Sequence, residues 1–353
     1  MKTIKIGTRE IGIGKPCFII AELSCNHNHK FDIAMETIHA MKAAGADCVK
    51  LQTAKPGSIT IDCDNDLFKI KGGTLWDGMT LYELYKETYT PWEWHEALKI
   101  EVEKLGMIFF SSPFDFEAVD FLENLNVPAF KIASFEITDV PLINYAAKKG
   151  KPVIISTGIA DELYIDDAIQ ACKDAGNENI ILLKCTSAYP TPLSDVNLNV
   201  INTLRTKYDL NIGLSDHTEG SLVAIGAVAL GACIVEKHFI LDRNIGGPDS
   251  KFSMEPKEFK AMVDGIRDIE KAMGKPEIVL DEKIIKSRTH ARSLFVVEKM
   301  LKGEKFTFTN VKSIRPGQGL LPKFLPDILG KTAKVDIERG TPLSFDLINL
   351  INN

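Results

Sequence analysis

The sequence predicts an α/β protein, a parallel (β/α)8 TIM barrel followed by a small, mainly β module. Three observations predict it. Short apolar runs rich in Val, Ile and Phe recur eight times between Cys17 and Phe239. The longer segments between them carry helical patterns. After Gly274 the alternation stops, and short runs broken by turn signals take over. Strand and helix alternating eight times is the signature of a barrel, with a doubly wound open sheet as the alternative. At 353 residues the chain exceeds a usual single core, which suits one large domain plus a smaller one.

The first apolar run, Cys17–Leu23, is followed by the amphipathic stretch Phe31–Ala44. The second, Cys48–Gln52, leads through an aromatic-rich segment to a helical pattern over Thr90–Leu105. Met107–Ser112 precedes Glu117–Leu125, and Ala129–Ser134 is the fourth run. Pro152–Thr157 is followed by Ala160–Ala175, and Ile180–Cys185 is the sixth run. Ile212–His217 leads into Glu219–Leu230, and after Cys233–Phe239 the helical stretch Glu255–Met273 closes the series. The barrel is assigned to residues 1–280, a polar linker to 281–290 and the small module to 291–353. In that module KGEKF, RPGQG and ERGTP read as turns.

Composition removes several function classes. The charged fraction of 25% and hydrophobic fraction of 45% are those of an ordinary globular protein. A net charge of -6 argues against nucleic acid or an acidic membrane as partner, yet lets a local lysine cluster hold an anionic small molecule. The N-terminus, MKTIKIGTRE, has no signal-peptide pattern, and nothing approaches the roughly 20 apolar residues that span a bilayer. The seven cysteines form no CxxC pair, and Cys17, Cys48, Cys185 and Cys233 lie in or beside apolar runs, as small hydrophobes do. A cytoplasmic protein with free thiols is expected.

The chemistry collects at the strand ends. Strands buried on both faces should be apolar, so polar residues at their C-terminal ends need a reason. Side chains alternate along a strand. Ile20, Glu22 and Ser24 thus share one face, as do Lys50 with Gln52, Ser215 with His217, and Glu236 with His238. Each set points its polar side toward the barrel axis, at the rim where barrel enzymes keep their reactive groups.

Lys50, Lys131 and Lys184 sit in or at the ends of apolar strands. One such lysine can snorkel outward or pair with a carboxylate; three together suit a phosphate or carboxylate ligand. Ser112, Ser134, Ser156 and Ser215 add hydroxyl donors. His217 and His238 end adjacent strands about 4.8 Å apart, so they are either hydrogen-bonded structure or two ligands of one ion with open positions. His27 and His29 can approach the mouth or remain solvated. Glu22, Glu136, Asp216, Glu236 and Asp249 are candidates for orienting hydroxyls or for acid–base work, and spacing alone does not separate their roles.

The strings AELSCNHN, VKLQT, FKIAS, KCTSAYPTP, GLSDHTEG, VEKHFILDR and GGPDSKFS closely resemble the sialic acid synthase family. The tail, with SLFVVEKMLKGEKFTFTNVKSIRPGQGL and GKTAKVDIERGTPL, is similar to the antifreeze-like (SAF) module that follows the barrel in those enzymes. The resemblance covers nearly the whole chain. It implies a metal-dependent condensation of phosphoenolpyruvate with an N-acylated amino sugar, giving a nonulosonic acid and phosphate. It further implies that Lys50, Ser112, Lys131, Ser134, Ser156 and Ser215 hold phosphoenolpyruvate, and that His217 and His238 bind Mn2+ or Mg2+. By the same resemblance Glu22, Gln52, Glu136, Tyr189 and Asp249 line the sugar or the metal-bound water. Glu136 is then the first choice for handling the water's proton, with Glu22 and Asp249 beside it as catalytic candidates. Arg315 matches a tail arginine that reaches a partner subunit's site, which implies a domain-exchanging homodimer. Lys184 and Glu236 rest on parity alone.

The segment GGTLWDGMTLYELYKETYTPWEW, like GGPDSKFS, is similar to the members that make pseudaminic acid, which points to 2,4-diacetamido-2,4,6-trideoxy-altrose as the sugar. Trp76, Trp92, Trp94, Tyr82, Tyr85 and Tyr89 all lie there. Leu81, Leu84, Tyr85 and Thr88 have helical spacing, so these aromatics either pack a helix or wall a deoxysugar methyl group. N-acetylneuraminate or legionaminate synthesis is the alternative within the family. Outside it stand a metal-dependent sugar-phosphate aldolase and a non-enzymatic carbohydrate- or ice-binding protein.

Overall fold

The computed structural model of the protein describes residues 1–71 and 77–349, so Trp76 lies outside the described residues. The chain divides into two compact units, Met1–Gly274 and Lys275–Asn353.

The first unit opens with an antiparallel hairpin, β1 (Ile4–Ile6) and β2 (Arg9–Ile11), which the sequence reading did not include. Strands of three residues are too short to show a period. The hairpin packs Ile4, Ile6 and Ile11 into the barrel unit's core, and its Arg9 pairs with Asp47 at 2.5 Å. The barrel elements follow: β3 (Phe18–Glu22), α1 (Phe31–Ala43), β4 (Cys48–Thr53), α2 (Pro56–Ile59), α3 (Leu81–Thr88) and α4 (His95–Lys104). Next come β5 (Ile108–Pro113), α5 (Phe116–Asn124), β6 (Phe130–Ile132), α6 (Val140–Lys148), β7 (Val153–Ser156) and α7 (Glu162–Asp174). The circuit ends with β8 (Ile180–Cys185), α8 (Val200–Tyr208), β9 (Asn211–Asp216), α9 (Leu222–Ala229), β10 (Ile234–His238) and α10 (Pro256–Met273).

Strands β3 to β10 are parallel, and β10 pairs back onto β3 to close the barrel. Their side chains are buried on both faces, the outer one against helices, which is why the strands read as continuous apolar runs. Aspartates start three consecutive helices. The carboxylates of Asp115, Asp139 and Asp161 accept from the backbone N–H of Ala118, Leu142 and Tyr164, each cap contributing about 1 kcal/mol. Helices α6 and α8, not named from the sequence, complete the alternation. The second, VINTLRTKY, is rich in β-branched and amide residues that weaken a helical signal.

Register decides which side chains meet. Glu22 stands opposite Lys50 on one side and His238 on the other, and Ser215 stands opposite Glu236. In β8, Cys185 stands opposite the inward Ser215, which makes Leu183 and Cys185 the inner face and turns Lys184 outward. This corrects the expected lysine trio. The Lys184 ammonium is satisfied behind the barrel by the Cys185 carbonyl at 2.8 Å and Thr186 Oγ1 at 2.6 Å. Asp216 is corrected likewise. It faces outward and pairs with Lys237 at 2.6 Å, both side chains almost fully buried.

The second unit carries α11 (Glu282–Ser287), β11 (Ser293–Val296), β12 (Val311–Ile314), α12 (Leu325–Ile328), β13 (Thr332–Ala333) and β14 (Ile348–Asn349). Its strands pair antiparallel as β11 with β12 and β13 with β14. Leu294, Val296, Met300, Phe306, Val311 and Ile337 form its own core.

Candidate active site

Two buried ammonium groups organise the barrel mouth. Lys50 is 3% exposed and pairs with Glu22, while its Nζ lies 3.4 Å from Ser112 Oγ. Lys131 is 2% exposed and donates to Ser156 Oγ at 2.6 Å and to the Ile132 carbonyl at 3.1 Å. Glu236 Oε1 lies 3.7 Å from each of the two nitrogens and accepts from Ser215 Oγ at 3.2 Å. Burial opposes the charge on Lys50, but Glu22 and Glu236 outweigh it and hold its pKa above the ordinary lysine value. At Lys131 burial wins, and its pKa falls below that value despite Glu236. Buried charges this close are held at a desolvation cost of several kcal/mol, roughly, so their presence calls for a role beyond stability.

The serines fall around this pair. Ser112 and Ser156 touch the lysines, Ser215 touches Glu236, and Ser134 opens a short turn after β6. The Gly158 N–H donates to Ser134 Oγ at 3.2 Å. A Cβ at Gly158 would lie 2.7 Å from that oxygen and 2.2 Å from Ser187 Oγ, so a larger residue there would push both hydroxyls aside. Cys185 joins the inner wall here, with its sulfur 3.9 Å from His217 Nδ1. Treated in the sequence as a small hydrophobe, it becomes legible when parity is counted from Leu183 rather than from Lys184.

The two histidines converge at the other side of the mouth. Their ring centroids are 5.3 Å apart. His217 Nδ1 lies 3.1 Å from the Thr186 carbonyl, and His238 Nδ1 lies 3.4 Å from Asp249 Oδ2. The Thr186 carbonyl thus orients the His217 ring, whereas His238 Nδ1 has the Asp249 carboxylate within ion-pair distance but makes no hydrogen bond. Among the described residues no three His, Cys, Asp or Glu side chains converge as a metal group. Two imidazoles this close fit a divalent ion that keeps open positions. Tyr189 lies over His217 with centroids 4.3 Å apart, and Phe252 touches Tyr189, His217 and His238 to complete a cluster of four rings. Phe252 was not singled out in the sequence, although GGPDSKFS contains it.

A polar chain links both halves. Gln52 donates to Ser24 Oγ at 3.1 Å, and Ser24 donates to Asp249. Glu136 sits in the turn after β6, where burial pushes its pKa up to about 7 and Oε2 has no partner. Glu22 Oε1 and Glu236 Oε2 are likewise buried without hydrogen-bond partners. Tyr85 of α3 has its pKa raised by burial and by the nearby Glu136 charge. Leu81, Leu84, Tyr85 and Thr88 are half-buried along one face, in line with helix packing. Trp92 stacks on Phe121 at 4.6 Å, and Trp94 packs edge-on against His27 and Phe31. His27 is buried and bonded to Thr90 Oγ1 at 3.0 Å, outside the constellation. Arg315 follows β12 in the second unit and is exposed.

Comparison with known proteins adds to this geometry. A model of the NeuB family matches residues 37–277, and a SAF domain model matches residues 291–349. The chain is 48% identical over 329 residues to the pseudaminic acid synthase of Campylobacter jejuni strain 81-176, covering 93% of this chain and 96% of that protein. It is 47% identical to the pseudaminic acid synthase of Helicobacter pylori, covering 94% of this chain and 98% of that protein. Among solved structures, the N-acetylneuraminic acid synthetase of Leptospira borgpetersenii in complex with citrate superposes with a TM-score of 0.73 at 32% identity. That match covers 81% of this chain and 95% of the other.

Proposed function

The chain belongs to the NeuB family, and from that premise we propose that it condenses phosphoenolpyruvate with 2,4-diacetamido-2,4,6-trideoxy-altrose, releasing pseudaminic acid and phosphate. The observation that carries the reaction class is the pair of buried ammonium groups, ringed by hydroxyls, on the same mouth as two imidazoles whose centroids lie 5.3 Å apart. Identity of 47–48% with pseudaminic acid synthases supports the choice of sugar.

The residues divide the work. Lys50 and Lys131, with Ser112, Ser134, Ser156 and Ser215, balance and orient the phosphate and carboxylate of phosphoenolpyruvate. Gln52, Tyr189 and Asp249 line the place of the sugar. His217 and His238 would hold Mn2+ or Mg2+, which when bound supplies Lewis-acid polarisation of the open-chain aldehyde. C3 of phosphoenolpyruvate attacks the aldehyde carbon, water adds at C2, and C–O cleavage releases phosphate. Glu136, with a pKa of about 7, is ionised enough near neutrality to take the water's proton. Holding both reactants on one rim lowers the entropic barrier.

A homodimer in which Arg315 serves the partner's site belongs to the same reading. Phe116, Phe135, Ile159, Leu163 and Leu193 stand exposed in the loops and first helical turns after β5 to β8, which supports an occluding partner there. A cytoplasmic setting accords with seven free cysteines and with the absence of any helix, among the described residues, long and apolar enough to cross a membrane.

The test is phosphate release from phosphoenolpyruvate with manganese, offering the trideoxy-altrose and N-acetylmannosamine in parallel. Turnover with the former alone is expected. Turnover with N-acetylmannosamine alone would overturn the sugar, and release with neither would turn attention to a legionaminic-type precursor.

A further inference from the structure

We propose that Glu236 is a positioning residue for phosphoenolpyruvate, the shared counter-charge that holds Lys50 and Lys131 as a matched ammonium pair. The inference rests on the phosphoenolpyruvate reading above and assigns a role to a residue outside the expected binding set.

Geometry carries it. Glu236 Oε1 is 3.7 Å from both Nζ atoms, beyond ordinary hydrogen-bond length. It therefore compensates charge without consuming the N–H donors that a substrate anion needs. One Lys50 donor is held by Glu22, and the remaining donors named here meet hydroxyls and a carbonyl that an anion can compete with, namely Ser112, Ser156 and Ile132 O. The two lysines are not equivalent. Lys50 also has Glu22, whereas among the described residues Glu236 is the carboxylate within ion-pair reach of Lys131. Ser215 Oγ donates to the same Oε1 at 3.2 Å and fixes its place between the ammonium groups. Glu236 itself is 5% exposed, so water does not screen these contacts.

Without that carboxylate, two buried like charges would face each other across at most twice 3.7 Å. Such a pair separates or sheds a proton, and either change spoils a site for a dianionic phosphate and its neighbouring carboxylate. Lys131 is the one that would yield, because burial already weighs against its charge.

Glu236→Gln is the test, since it keeps the shape and the acceptor for Ser215 while removing the charge. Phosphate release is measured against phosphoenolpyruvate and against the sugar, from pH 6 to 10. Expected are a rise in phosphoenolpyruvate KM on the order of tenfold, the contribution of one charge contact, and a sugar KM within about threefold of wild type. The alkaline limb of kcat/KM for phosphoenolpyruvate should also move to lower pH, because losing a nearby negative charge lowers a lysine's pKa. A purely structural carboxylate would not shift that limb. An unchanged or lowered phosphoenolpyruvate KM with an unmoved limb overturns the inference. Should Glu236→Gln fail to fold by circular dichroism, Glu236→Asp replaces it; an intermediate KM supports the proposal and a wild-type KM overturns it. Wild-type enzyme in the same assay separates the two levels. Wild type inactive with phosphoenolpyruvate removes the functional reading and the inference with it, whereas active wild type beside an unaffected variant removes the inference alone.

Discussion

Replacing Lys131 with methionine separates what this ammonium does for folding from what it does for substrate. The side chain is 2% exposed, donates to Ser156 Oγ and Ile132 O at 2.6 and 3.1 Å, and lies 3.7 Å from Glu236. For folding, the terms oppose one another. Removing a buried charge relieves its desolvation, while Glu236 loses one of two cations but keeps Lys50. Apolar replacement of buried ionic groups ranges from neutral to stabilising by about 1–4 kcal/mol, and breaking a pair costs about 3–5 kcal/mol. With a second cation in place, Lys131→Met should change stability by no more than about 2 kcal/mol. For substrate there is no such offset. Truncating one partner of a desolvated charge contact costs about 2–5 kcal/mol, or roughly 30- to several-thousand-fold in kcat/KM for phosphoenolpyruvate. The assay is phosphate release over a range of phosphoenolpyruvate, paired with a thermal melt. A kcat/KM within threefold of wild type would refute the reasoning, and a melting point lower by more than about 10 °C would make the lysine structural.

Three more outcomes follow from the same geometry. Glu136 has a pKa raised by burial to about 7, so a base that works ionised gives a kcat that climbs through neutrality. Glu136→Gln should abolish that acid limb and lower kcat on the order of 10²- to 10⁴-fold, whereas a limb that persists assigns it elsewhere. Asp216→Ala leaves Lys237 buried without the carboxylate 2.6 Å away, costing about 3–5 kcal/mol in urea titration while phosphoenolpyruvate KM stays near wild type; a KM effect without a stability effect would contradict the outward placement. Gly158→Ala puts a methyl 2.7 Å from Ser134 Oγ and 2.2 Å from Ser187 Oγ, so both hydroxyls must turn aside, and roughly tenfold of phosphoenolpyruvate kcat/KM should be lost with little change in the melt. Equal activity in that variant would mean that Ser134 does not touch the substrate.

Most of the barrel was legible because buried parallel strands are apolar on both faces, so polar residues at their ends stand out. Glu22, Lys50, Lys131 and His238 stand out this way; register brings Glu22, Lys50 and His238 together, and Lys131 reaches them through Glu236. The same signal failed at Lys184 and Asp216. A polar side chain behind the barrel, satisfied by a carbonyl or an opposite charge, looks identical in one dimension to one at its axis. For Lys184 the neighbouring strand decides, through Cys185 opposite Ser215, whereas alternation with the inward Ser215 and His217 already turns Asp216 outward. The β1–β2 hairpin escaped because three-residue strands carry no period. Phe252 escaped because a lone aromatic in a turn becomes informative once its ring is seen against two histidines.

Glu236, Lys237 and His238 are consecutive, yet the outer two face the mouth and the middle one is locked to Asp216 behind the wall. Every functional strand is thus a two-sided text in which neighbouring letters belong to different messages. A closed ring has no free edge along which a strand could slide and read the other side. One deleted residue before β10 would carry an ammonium inward and an imidazole outward, silencing the enzyme while scarcely changing its composition. Circular permutation in a loop at the opposite end leaves every strand's alternation intact. New specificities can therefore be sought safely by exchanging loops and substituting letters, and not by changing the length of a strand.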